Sequence, residues 1–126
     1  MPWACTTNSD QNMIEVKYTG NVTAKDLKES TSTVITMEKE TDIHSILSDT
    51  TEAVLVASIV DLYDIPTIQY VEEGADYRGH LAVILSESSK ERDAAKFFGD
   101  TSRSAGWRVN TFDNRQLAID WLISSR

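Results

Sequence analysis

Cysteine, proline, histidine and glycine are all scarce in this chain: one, two, two and five among 126 residues. The single thiol, Cys5, excludes an internal disulfide and fits a reducing compartment. No basic residue adjoins it in sequence to lower its pKa, so it reads as a small apolar strand residue. The glycines stand singly, which excludes a glycine-rich phosphate loop. No Cys/His set has metal-ligand spacing. No apolar run approaches the ~20 residues of a membrane span. Residues Met1 to Asn8 lack a basic segment followed by an apolar one, so no secretory signal is expected and a soluble cytoplasmic protein is. Basic residues are also few, 12 Lys and Arg against 20 Asp and Glu, a net charge of −8. That balance argues against nucleic acid and against an anionic membrane surface, and reads as solubility.

What is present is an alternation of strand and helix signals, long enough for one domain over residues 1–126. Pro2 to Thr7 reads as a short strand. Met13 to Thr19 alternates, with Ile14, Val16 and Tyr18 on one face, and Gly20-Asn21 is expected to end it. Thr23 with Asp26 opens a helix that fades near Glu40-Thr41. Its stripe runs through Leu27, Thr31, Val34 and Met37 or Glu38, while Glu38-Lys39-Glu40 as a run reads as a solvated face.

The stretch Ile43–Ser48 is expected to be a buried strand ending at Asp49, with Asp49-Thr50-Thr51-Glu52 as a loop and Val54-Leu55-Val56-Ala57 as an apolar connection. Ser58 and Asp61 have capping-box spacing, and Asp64-Ile65-Pro66 reads as a second helix start. Leu62, Ile65, Ile68 and Val71 are the expected buried face, and Gly74 the stop. His80 to Leu85 is continuously apolar, as in a central parallel strand. Ser88 with Glu91 is a capping box for the next helix, and Gly106 its end. Trp107 to Phe112 is the last strand, and Asp113 with Gln116 caps the last helix. The order β-β-α-β-α-β-α-β-α implies an α/β fold with a mixed, mainly parallel sheet of four to five strands covered by helices.

Polar residues should gather where parallel strands stop, the usual ligand position in such sheets. The candidates are Asp49, Ser58 and Glu87, with Asp113-Asn114 nearby. Asp49 and Glu87 could share a divalent cation, or these residues simply cap helices and solvate loops. His44 and His80 fall at strand beginnings, the opposite rim, so no Ser-His-Asp arrangement with Asp49 or Ser58 is expected. The residues therefore point to no catalytic set and call for no cofactor.

Two stretches carry a family likeness. One is Ser58 to Pro66 followed by the strand Leu81 to Ile84. The other is Phe97-Phe98, then Ala105-Gly106-Trp107 through Phe112-Asp113, then Ala118-Ile119-Asp120-Trp121-Leu122. Over roughly residues 13–123 the chain resembles the SpoIIAA-like proteins, small relatives of the STAS domain that are also grouped with the lipid-binding Sec14 fold. In sporulation-type STAS domains an Asp-Ser-Ser-Gly motif opens the helix after the second core strand, and one Ser is phosphorylated. Ala57-Ser58-Ile59-Val60 lies near that place, with only Ser58 matching. The resemblance implies a non-enzymatic regulatory or protein-interaction module meeting its partner at Ser58, Ile59 and Tyr63, with Ser58 the phosphorylation candidate. Its alternative is a carrier or sensor of a small apolar or lipid-like ligand, roofed by Val54 to Ala57. An exposed edge or face at the N-terminal hairpin would admit a homodimer.

Overall fold

The computed structural model describes residues 1–126. Five strands, β1 (Trp3–Asn8), β2 (Met13–Val22), β3 (Ser45–Leu55), β4 (His80–Ile84) and β5 (Arg108–Phe112), form one sheet in sequence order. β1 is antiparallel to β2, as a hairpin; all other pairings are parallel. The connections carry α1 (Ala24–Thr41), then α2 (Ile59–Asp64), a π-helical turn (Ile65–Gln69) and α3 (Tyr70–Glu72), then α4 (Ser89–Ser104); α5 (Arg115–Ser124) closes the chain. The expected α/β class, strand order and helical cover are all present.

The local corrections have identifiable causes. β2 does not stop at Gly20-Asn21 and β3 does not stop at Asp49; both run on together to the pair Val22 and Leu55. A bulge makes this possible. Lys17 pairs with Asp49 but Thr19 with Glu52, so Thr50 and Thr51 stand together opposite Tyr18. The Asp49 carboxylate fills the irregularity, accepting from the Thr51 amide at 3.0 Å and from its hydroxyl at 2.6 Å. The four polar residues that look like a loop are thus the bulged middle of an eleven-residue strand. Gly20 continues β2 at φ +71°, where a side chain would be strained.

The capping boxes at Thr23 and Ser58 form as expected, each with its Asp three residues on. The one at Ser88 does not. The Ser88 hydroxyl donates to Glu91 rather than accepting a helix amide, Glu91 also accepts the Leu55 amide at 3.1 Å, and Lys90 donates to the Leu55 carbonyl at 2.6 Å, so the first turn of α4 caps the end of β3 instead. Asn114, not Asp113, caps α5 by accepting from the Leu117 amide, while Asp113 pairs with Arg92.

Pro66 does not start a second helix. It lies inside a continuous helical segment, at the second residue of the π turn. Proline crowds the carbonyl four residues back, and the wider turn relieves this. One extra residue per turn also rotates the buried face. Leu62 and Ile65 are buried as expected, but Ile68 and Val71 are exposed, and Pro66 and Gln69 are buried in their place.

The sheet is covered unequally. One face packs on α5 through a single cluster of seven buried residues, Met13, Leu47, Ala82, Ile84, Ala118, Ile119 and Leu122. The other face is divided among four clusters of three buried residues each. On that side α1 and α4 lie over the strands, while α2 and the π turn make their main contacts with α1 and α4 rather than with any strand.

This register of α5 predicts a contrast. Leu122→Ala should cost about 2–5 kcal/mol of unfolding free energy, because Leu122 is fully buried. Leu117→Ala, at a half-exposed position, should change it by no more than about 0.5 kcal/mol. Urea denaturation of both variants checks it.

Candidate functional site

Beneath the segment from α2 to α3 lies an apolar cavity of about 160 Å³, bounded by the sheet below and by α1 and α4 at the sides. Alternation along the strands decides its floor. Val16 and Tyr18 of β2, Ile46, Ser48 and Thr50 of β3, and Leu81 and Val83 of β4 point into it. Leu62, Ile65 and Tyr70 hang from above. Of the segment Val54 to Ala57, only Leu55 borders the cavity; Val54 and Val56 face solvent.

Trp107 locks the roof in place. Its indole Nε1 donates to the Pro66 carbonyl at 2.8 Å in a buried bond. Its ring meets Tyr70 edge-on at 5.0 Å and stacks on Tyr77 at 4.1 Å. At the other side, the Tyr18 hydroxyl bonds Ser30 of α1 at 2.7 Å, and burial pushes its pKa up to about 12.

One end of the cavity is polar. Glu38 of α1, only 4% exposed, borders it. Its Oε2 lies 2.8 Å from His44 Nδ1, and His44 Nε2 lies 2.8 Å from Asp42. Asp76 stands 3.9 Å from the same imidazole and is itself gripped by Arg78. The backbone must come close here. A Cβ on Gly79 would stand 2.8 Å from the Glu38 carboxylate. Burial raises the Glu38 pKa against the opposing pull of His44. The bond to Glu38 raises that of His44, and Asp42 adds to the effect. In the sequence Glu38 stands both as an alternative to Met37 on the stripe of α1 and as part of a charge run expected to be solvated. The signal that finds it is helical spacing, since Glu38 follows Thr31 and Val34 on the stripe of α1.

The residues singled out from sequence fall in different places. Asp49 is level with the ends of β4 and β5, through Ile84 and Phe112, but its side chain shares the face of Leu47, toward α5, and holds the bulge. Ser58 is an exposed cap, its Oγ 2.9 Å from the Asp61 carboxylate. Ile59 and Tyr63 are half-exposed on the outer side of α2, with Val56 and Val60 beside them. Glu87 is exposed in the turn after β4. The cavity lies beneath α2 and is not bordered by Ser58, Ile59 or Tyr63. No group of three or more His, Cys, Asp or Glu side chains is arranged to hold a metal ion.

The histidines are together at the far rim, where the His80 amide donates to the His44 carbonyl at 2.8 Å. His44 bonds Glu38 and Asp42, not Asp49 or Ser58. This contact predicts a pH dependence. A folded-state pKa above the ordinary 6.5 means that the folded chain holds the His44 proton more tightly than the unfolded chain. The resulting stability is fully present below pH 6.5 and is lost as pH rises through the raised value. Unfolding free energy by urea should therefore fall as pH rises above 6.5, and His44→Gln should flatten that slope.

No protein-family model matches the chain, and no curated protein matches it by sequence. Solved structures do match it. One is an uncharacterised protein of the DUF3478 family with a SpoIIAA-like fold from Shewanella loihica, at 19% identity and a TM-score of 0.60, covering 95% of this chain and 93% of that one. Another is the anti-sigma factor antagonist SpoIIAA in its unphosphorylated form, at 12% identity and a TM-score of 0.54, covering 96% and 97%. No helix is long and apolar enough to cross a membrane. Five strands in sequence order, one antiparallel pair at the edge and helices on both faces make this a SpoIIAA-like fold.

Proposed function

We propose that the chain is a non-enzymatic, STAS-type regulatory module that docks a protein partner on the outer face of α2. The observation that carries this reading is the run of exposed apolar side chains, Val56, Ile59, Val60 and Tyr63, beside the Ser58 cap. Large apolar groups gathered on one surface element mark interaction sites more often than chance exposure does. The fold shared with an anti-sigma factor antagonist supports it. Phosphorylation at Ser58 would switch the face by a plain electrostatic route. A phosphate there would stand against the Asp61 carboxylate, now 2.9 Å from the Ser58 hydroxyl, and would break the box that starts α2. The unpaired outer edge of β1 is where a second copy could add to the sheet.

A photo-crosslinking residue at Val60 should capture a protein partner in cells, and Ile59→Asp should abolish capture without changing the circular dichroism spectrum. Equal capture from position Leu117, on the opposite layer, would sink the reading. Intact mass of the cell-derived protein tests Ser58: a single phosphate there is expected, and an unmodified chain under all growth conditions removes the switch.

The cavity favours a second reading, a carrier or sensor of a small apolar ligand. Ligand pockets are mostly apolar with a few placed polar groups, which describes this one. Native mass spectrometry of protein purified without organic solvent should show a bound small molecule that solvent extraction releases. A spectrum of bare protein from every source would oppose the carrier.

A further inference from the structure

Charged groups are few in the lining of the cavity. Four charged residues border it: Glu38, Asp76, Glu91 and Arg108. Arg78 engages Asp76, and Glu91 takes the Ser88 hydroxyl and the Leu55 amide. Arg108 is exposed. Glu38 is buried as a residue and bonded through one oxygen only: His44 holds Oε2, and no protein donor reaches Oε1. A carboxylate oxygen that no protein donor reaches is free to accept a charge-assisted hydrogen bond from a ligand.

The sign of the field is also clear. Three carboxylates, Glu38, Asp42 and Asp76, face Arg78 and, when it is protonated, His44. These five groups sum to a negative charge in either state of the imidazole, with Arg108, level with His80 on the same rim, the next cation along. We propose that Glu38 Oε1 is the head-group site of the cavity, and that the cavity takes a small amine, an alkyl- or arylammonium with its apolar body under the roof of α2 and α3. This inference rests on the carrier reading. It adds which end of the ligand enters where, and the charge that the head carries.

Size limits the body. A space of about 160 Å³ is close to the roughly 150 Å³ of an engineered apolar cavity that binds benzene. A single ring with a short arm fits; a long acyl chain does not. The floor offers Val16, Ile46 and Val83 to such a ring.

Isothermal titration at pH 7.5 with three probes of similar size tests the proposal: 2-phenylethylamine, ethylbenzene and phenylacetate. The amine should bind at least tenfold tighter than ethylbenzene, and phenylacetate weakest. Glu38→Gln, which keeps an acceptor for His44, should erase the amine's advantage and leave ethylbenzene unchanged. Should the substitution disturb folding, carbon-detected NMR of the unaltered protein reads the same site: the amine should shift the Glu38 carboxyl resonance, and ethylbenzene should not. An amine that binds no tighter than ethylbenzene, a preference that survives Glu38→Gln, or an unmoved carboxyl resonance overturns the head-group site while leaving the apolar carrier standing. Tighter binding of phenylacetate overturns it too, in favour of Arg108 as the head-group partner. Failure of all three probes to bind removes both.

Discussion

A single buried hydrogen bond, from Trp107 Nε1 to the Pro66 carbonyl, joins the last crossover of the sheet to the middle of the helical roof. Pro66 has no amide to give to a helix and no room for the carbonyl behind it, so the backbone widens into a π turn. Trp107 then supplies a donor to that turn from the other side of α4. Tyr70 and Tyr77 flank the indole and leave it little freedom. The roof is thus tied at its edge by Trp107 and packed mainly on α1 and α4, with Leu55, Val83 and Val109 its contacts on the strands.

That suspension explains why the two faces of one sheet differ. α5 lies on the strands and makes a continuous core with them. On the opposite face the core is split into small clusters, two under α1 and two shared between the roof and α4, and space remains between them. Close packing is the ordinary state of a protein interior, so a retained void bordered by a buried carboxylate is a feature that invites a function. The outer face of the same roof bears the exposed Ile59, Val60 and Tyr63. A ligand below and a partner above would therefore touch opposite sides of one helical segment. The two functional readings are compatible in space.

Much of the fold is legible in the residues. The alternation in Met13 to Thr19, the unbroken apolar run before Leu85 and the Thr23 and Ser58 boxes each name their element. These signals are local, within reach of a few residues. The misreadings share one cause. Asp49 to Glu52 looks like a loop because polar residues usually end strands, yet pairing with β2 carries them through a bulge. Ser88 and Glu91 spell a capping box, yet Glu91 takes the Ser88 hydroxyl and the distant Leu55 amide in place of the Ser88 amide. Ile68 and Val71 keep perfect helical spacing, yet the π turn rotates them outward. In each case the deciding partner lies far away in the chain or in a departure from regular geometry.

The sequence by itself determined the class of fold, the order of strands and helices, the placement of both histidines at one rim and the negative charge, because each depends on composition or on spacing within one element. Tertiary structure alone decided that Glu38 is buried, that His44 meets it, and that a cavity opens beside them. Those facts require α1, the loop through Asp76 and Gly79, and the start of β3 to converge. No pattern confined to one segment records which distant segment will shield it from water.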